Sequence, residues 1–404
     1  MKKEKVIVLG GTQDHIDLIK ILKNKKFHVL LVDYTANPSA KCFADEYIQE
    51  STLNKEAVLE IAIKNKVSFV IAACIDQALL TMAYVCEQMG LPCHLTYDKA
   101  LSLTNKTFMK EVFKEYGVPT AKFQIVDDIQ SSELEISYPL VVKPSDANSS
   151  KGVIKVKSEN ELKASMKEAM QISRDKKIIV EEFIAGKEYS ADVLISDGKA
   201  EALMISENVK FEKNHNNFTI VQSLFNSEIH NEHKSVIEQI AIKISQAFDL
   251  KNVLLLIQLI INDDGVFVIE FSSRIGGGSK HHFIKKIRDY NVLDCFLATI
   301  ERKTIRPKNN MLLFKNASVN YIYTKKGVFN KVIGVELLLE KKIIEDFYLY
   351  KNCGTEITNN ISSSDRPAGY LIADNDNLVY QHKFETAKKE IEILGEDGIN
   401  LRII

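Results

Sequence analysis

The stretch Val268–Lys280, VIEFSSRIGGGSK, sets an acid, a hydroxyl and a guanidinium in alternation and then opens into three glycines. Read as a β-strand, whose side chains alternate with period two, it places Glu270, Ser272 and Arg274 on one face. Upstream, VLLLIQLII (253–261) and NDDG (262–265) predict the other arm of a hairpin. Asp263 and Asp264 suit a type I turn and Gly265 the left-handed bulge position. A three-residue loop sets Asn262 against Val266, and Gln258 then falls opposite Glu270. A carboxylate amid Leu, Ile, Val and Phe has to be paired or bound to a metal. Oxygen donors from Gln258, Glu270 and Ser272 suit Mg2+, which also accepts phosphate oxygens, and the Arg274 fork reaches the same phosphates. A purely structural Glu270–Arg274 pair is the alternative. Gly276, Gly277 and Gly278 allow backbone N–H groups to approach a substrate closely.

The chain has 404 residues, too many for one hydrophobic core, so two to four domains are expected. With a net charge of −1 it offers no electrostatic case for nucleic acid or a membrane. The start, MKKEKVIVLGG, holds too short an apolar run for a signal peptide, and 253–261 covers about half a membrane span. Six scattered cysteines without a C-x-x-C pair read as buried thiols in a reducing compartment, which predicts a cytoplasmic protein.

Strands KVIVLGG, FHVLLVDY and VSFVIAACID alternate with helical segments and predict a parallel α/β domain over residues 1–103. The loop GGTQDH lacks G-x-G-x-x-G, which argues against a dinucleotide site; a small-anion loop and a tight β-to-α turn stay open. A helix over Thr104–Gly117 should carry Phe108, Val112 and Phe113 inward. YPLVVKPSDANSSKGVIKV then reads strand, polar loop, strand, with Lys143 at a strand end and Ser149, Ser150 and Gly152 in a loop able to approach phosphate, or simply a hairpin tip. KIIVEEFIAGKEYSADVLI reads as a strand, IGVELLLEKKIIEDFYLYKNCGTEI as alternating strands, and the segment from Ser362 as strand, turn, helix.

In this order and spacing the segments resemble the ATP-grasp superfamily of ligases and carboxylases, from Lys106 to about Gly278. The resemblance implies an α/β multidomain fold: a pre-ATP-grasp domain (1–103), an ATP-grasp domain (104–303) with a mobile lid at about 138–180, and a β-rich domain (304–404). It implies ATP and Mg2+ (or Mn2+) as cofactors. Lys106 and Lys143 would hold phosphates beneath the lid loop with Ser149, Ser150 and Gly152. Glu181 would lie near the adenine amino group, backbone groups of Glu182 and Ile184 at the base edge, Phe183 and Ile184 along the base, and Glu188 on the ribose. Gln258, Glu270 and Ser272 take the metal positions. Arg274 and Lys143 act on the transferring phosphoryl group.

Two positions depart from the superfamily pattern: Ser272 stands where asparagine is usual, and Gln258 where many members carry an acid. A run of IGGGSKHH replaces the Q-V-E-H of biotin carboxylase-type members. The resemblance therefore implies first a carboxylate–amine ligase for small carboxylate and amine substrates, with homodimers admitted. A phosphoribosylglycinamide synthetase-type ligase, bicarbonate phosphorylation and a non-catalytic ATP-binding module are the alternatives. His281 and His282 follow the glycines at the rim, and Arg366 in SDRPAGY comes from the tail.

Overall fold

A computed structural model describes residues 3–128, 134–146, 152–211, 219–301, 303, 305, 311–358 and 362–403. The expected alternation in the first hundred residues is present as β1 (Lys5–Leu9), α1 (Ile16–Asn24), β2 (His28–Asp33), β3 (Glu46–Gln49), α2 (Lys55–Asn65), β4 (Phe69–Ala72) and α3 (Ala78–Met89). The four strands pair in parallel in the order β3-β2-β1-β4. Val6, Ile7 and Val8 are fully buried, as the central strand of a sheet covered on both faces requires. In the loop after β1 the Gly11 N–H donates to Asp33 Oδ2 at 2.7 Å, so a protein carboxylate takes the donor a bound anion would need. The tight turn is the better of the two readings left open.

The helix expected from Thr104 is two helices. Asn105, in an extended conformation, ends α4 (Tyr97–Thr104) and caps α5 (Lys106–Glu115) by accepting from the Phe108 N–H. Lys106 is thus the first residue of α5. Phe108, expected inside, is 42 % exposed; the inward face is Met109, Val112 and Phe113.

Next comes a small antiparallel sheet in the order β5-β8-β6-β7, from β5 (Phe123–Val126), β6 (Leu140–Pro144), β7 (Ile154–Val156) and β8 (Ile178–Glu182), with α6 (Glu159–Ile172) across it. It closes its own core from Leu140, Val142, Val156, Leu162, Met166 and Val180. Ser149 and Ser150 lie outside the described residues. The strand expected through KIIVEEFIAGKEYSADVLI is cut at Phe183–Gly186, so that β8 and β9 (Lys187–Ser196) belong to different sheets. Gly186 permits the crossing: a Cβ there would lie 2.7 Å from the Ile261 carbonyl oxygen.

The remaining elements are β10 (Lys199–Lys210), β11 (Ile220–Asn226), α7 (Ser227–Ala247), β12 (Val253–Asn262), β13 (Gly265–Ser272), α8 (Lys280–Arg288), α9 (Val292–Ile300), β14 (Asn316–Ile322), β15 (Gly327–Ile333), α10 (Val335–Glu340), β16 (Asp346–Leu349), β17 (Glu356–Ile357), β18 (Ala368–Asp374), α11 (Asn377–Glu390) and β19 (Glu392–Gly395). An antiparallel sheet of eight strands runs β13-β12-β9-β10-β11-β14-β18-β16, and β17-β15-β19 forms a small separate sheet. Strands from residues beyond 304 therefore extend the sheet that carries Glu270. VELLLE, expected as a strand, is helical: Val335 and Leu338, three apart, turn inward while Leu337 and Leu339 are exposed. Among the described residues no helix is long and apolar enough to cross a membrane.

The hairpin corrects one expectation and keeps its consequence. Asn262 pairs with Gly265, not Val266, leaving a two-residue turn at Asp263–Asp264. The register then shifts by one residue between Leu259, opposite Val268, and Gln258, opposite Glu270, so Ile269 is a bulge. The pairing Gln258–Glu270 is restored by the bulge and not by the loop. The bulge also turns Glu270 to the face opposite Val268, which is 1 % exposed. Phe113 underlies this strand, its ring 5.9 Å from Phe271 and 6.2 Å from Phe248. Because Phe113 is fully buried, Phe113→Ala should cost about 3–5 kcal/mol, read from urea unfolding.

Candidate active site

A cleft of about 350 Å³ opens where the small sheet overhangs β12 and β13. Its walls bring together Lys106, Lys143, Glu181, Glu182, Phe183, Ile184, Glu188, Gln258 and Glu270, from helix, two sheets and the link between them. A smaller recess continues from it past Gln258, Glu270, Ser272 and Arg274 to Asp76. Every described site residue expected from the sequence except Gly152 lines one of the two cavities. Gly152 sits beside Pro144 with φ +72, where a Cβ would lie 2.9 Å from that ring.

Lys106 Nζ lies 2.8 Å from Glu270 Oε2. Burial works against the Lys106 charge, but Glu270, Asp76 and Glu181 outweigh it and raise the ammonium pKa. Lys143 Nζ and Lys110 Nζ converge on Glu181, at 2.8 and 3.2 Å. Burial would push the Glu181 carboxyl up, yet the two lysines hold it at about 2. The same burial pushes Lys110 down to about 8 against the pull of Glu181. Two cations sharing one carboxylate leave an excess of positive charge, suited to an incoming anion.

Around the link, Lys155 Nζ stands 3.2 Å from the centre of the Phe183 ring. The Glu182 N–H is spent on the Lys122 carbonyl at 2.9 Å. Glu188 is ion-paired with Lys210 and accepts from Asn208 at 3.3 Å.

The guanidinium of Arg274 forks onto Asp76, Nε to Oδ1 at 2.5 Å and Nη2 to Oδ2 at 2.6 Å. No Glu270–Arg274 pair forms: the two side chains have separate partners. Burial opposes both charges of the Asp76–Arg274 fork; their attraction nevertheless holds the Asp76 carboxyl below its ordinary range. Ser272 lines the same recess as Asp76. Gln258, Glu270, Ser272 and Asp76 form a set of hard oxygen donors at one recess, which fits Mg2+ or Mn2+.

Beyond Arg274 the glycine loop is already engaged. Gly278 and Ser279 donate their N–H groups to Asp14, at 2.9 and 2.6 Å. Gly278 has φ +73, and a Cβ there would come within 2.5 Å of the Tyr321 hydroxyl. Arg366 lies between the Tyr321 and Tyr350 rings, 4.2 and 4.6 Å from their centres. Asp14, Asp76 and Lys110 escaped the reading of the sequence. Asp76 had a signal, since it follows the carboxyl end of a parallel strand, where ligands gather in such sheets. Lys110 had another, one helical turn after Lys106. Asp14 had none.

The chain carries an ATP-grasp domain: residues 136–281 match that family. It is 40% identical to D-alanine–D-alanine ligase of Geotalea uraniireducens over 112 residues, which is 27% of this chain and 36% of that protein. The same enzyme of Pediococcus pentosaceus is 29% identical over 45% of this chain and 54% of its own length. The chain thus spans about a third to a half of these relatives. The whole fold is similar to the crystal structure of L-amino acid ligase from Bacillus licheniformis, with a TM-score of 0.79, 19% identity, and 98% and 100% of the two chains covered. It is also similar to phosphoribosylglycinamide synthetase from Anaerococcus prevotii, with a TM-score of 0.77, 18% identity and the same coverage.

Glu181 yields a pH test. Its folded pKa of about 2 lies below the ordinary 4.5, so the stability it contributes is complete above 4.5 and lost as pH falls toward 2. Glu181→Gln should destabilise the protein by about 3 kcal/mol at neutral pH, because Lys110 and Lys143 lose their partner. The gap between the two unfolding curves should narrow through that acid window.

Proposed function

We propose that this chain is an ATP- and Mg2+-dependent ligase joining a small carboxylate, an amino acid in first place, to an amine. The observation that carries the reading is the meeting of two lysines, Lys106 and Lys143, with the oxygen donors Gln258, Glu270 and Ser272 in one cleft between two sheets. The ATP-grasp match and the shared fold of amino-acid and purine-pathway ligases support it. The relatives acting on D-alanine, and the L-amino acid ligase neighbour, favour an amino acid.

The nucleotide base would lie along Phe183 and Ile184, with its phosphates toward Lys143 and Lys106. Glu270, Gln258 and Ser272 would hold Mg2+, which would supply charge neutralisation for the phosphate oxygens. The substrate carboxylate attacks the γ-phosphorus and ADP leaves. Lysine ammonium groups offset the charge spread over the phosphoryl oxygens during that transfer. The amine then attacks the acyl carbon of the acyl phosphate, and phosphate departs. Ser272, shorter than the usual asparagine, is the weakest of the three metal positions. The small sheet, with its separate core, acts as the lid.

ADP release measured with pairs of amino acids, and with purine-pathway carboxylates as a second panel, tests the reading. Turnover should require a carboxylate and an amine together. Glu270→Ala should lower it by about a hundredfold or more while leaving the far-UV spectrum unchanged. Unimpaired ADP formation by that variant would remove the metal assignment. ATP binding without turnover on either panel would favour a non-catalytic module.

A further inference from the structure

Outside the cleft, three side chains from two elements converge on one point. Asp17 is in the first turn of α1; His281 and His282 are consecutive in α8, just after the glycine loop. One ligand atom from each lies within 4.8 Å of the other two. His282 Nε2 is 3.4 Å and His281 Nε2 3.9 Å from the same oxygen, Asp17 Oδ2. The two imidazoles lie side by side, their centres 4.1 Å apart and their planes tilted by 39°.

His281 makes the arrangement costly as it stands. It is only 4 % exposed, and neither of its ring nitrogens has a hydrogen-bond partner among the described residues. Burying such a group unsatisfied is unfavourable. An unpartnered imidazole nitrogen facing a carboxylate oxygen, with a second imidazole beside it, is an arrangement that a metal ion can bridge.

We propose that Asp17, His281 and His282 bind a transition-metal dication of the zinc type, at a site separate from the oxygen-donor recess of the cleft. Two nitrogens and one carboxylate oxygen match zinc chemistry, whereas Mg2+ prefers oxygen alone. At zinc bond lengths of about 2.0–2.1 Å, tetrahedral ligands stand about 3.3 Å apart, close to the 3.4 Å spacing here and a small side-chain shift from 3.9 Å. Asp17 keeps Oδ2 for the metal, since Lys20 takes Oδ1 at 3.2 Å. Asp346 Oδ2 stands 3.7 Å from His282 Nδ1, a charge within reach of the ring nitrogen that does not face Asp17. His282 and Asp346 also line an open cavity of about 490 Å³, which gives the ion an entry path and a water for the fourth position. The site joins α1 to α8 beside the Asp14 bonds to Gly278 and Ser279, so bound metal braces the glycine loop.

The test uses the full, tag-free chain, stripped with chelator and titrated with Zn2+ against a chromogenic chelator in excess Mg2+. One equivalent should bind, with affinity at least about tenfold lower in His282→Gln and in Asp17→Asn. Zn2+ should raise the unfolding temperature of the native chain but not of either variant, all three melting alike without metal. No retained equivalent would overturn the proposal. Equal affinity in the variants would also overturn it and place the ion elsewhere, for example on exposed Cys42 or Cys353.

Discussion

The site depends on the buried fork between Asp76 and Arg274, which ties the end of β4 to the end of β13. The residues around it are held by the same domain. The Ser273 carbonyl lies 3.1 Å from His94 Nε2, and the Ile275 N–H donates to the Ala73 carbonyl at 3.2 Å. Ser273, Arg274 and Ile275, just past the end of β13, are thus each held by residues of the N-terminal hundred. Breaking the fork would leave the buried Arg274 guanidinium without its partner, whereas Asp76, with about a third of its side chain exposed, could turn to water. The N-terminal domain thereby becomes part of the site's support, although it contributes little to the cleft wall.

From that anchor the bulge at Ile269 sets what faces the cleft. It lets Val268 and Phe271 stay in the core while Glu270 meets Gln258 on the other side. The bulge is held from outside the sheet: the Val268 N–H donates to the Pro119 carbonyl at 2.7 Å, and Thr120 donates to the Val268 carbonyl at 2.7 Å. The segment leading into the small sheet therefore grips the strand that carries Glu270. The small sheet and the strand beneath it share a mechanical connection as well as a cavity.

Much of this was legible in the sequence, for reasons that can be named. Period-two alternation placed Glu270 and Ser272 together, and β-branched runs exposed the parallel sheet. The Gln258–Glu270 pairing was reached through a three-residue loop that does not exist; an unpredicted bulge made up the difference of one residue. Nothing local marks Ile269 as the extra residue, because its own apolar side chain fits a strand equally well. Phe108 was misplaced because Asn105 starts a new helix and rotates the inward face. The sequence separation of 198 between Asp76 and Arg274 puts their fork beyond any local pattern. The interrupted strand at Phe183–Gly186 was hidden by continuous β-propensity on both sides.

The central claim is that the cleft holds a nucleotide with its phosphates on Lys143 and Lys106. Calorimetric titration of a non-hydrolysable ATP analogue and of adenosine, each with Mg2+, into the native chain and Lys143→Ala tests it most directly. A charge-assisted contact to phosphate is worth about 1.5–3 kcal/mol, so the variant should bind the analogue about ten- to a hundredfold more weakly and adenosine almost unchanged. Equal losses for both ligands, or no binding of the analogue by the native chain, would contradict the account.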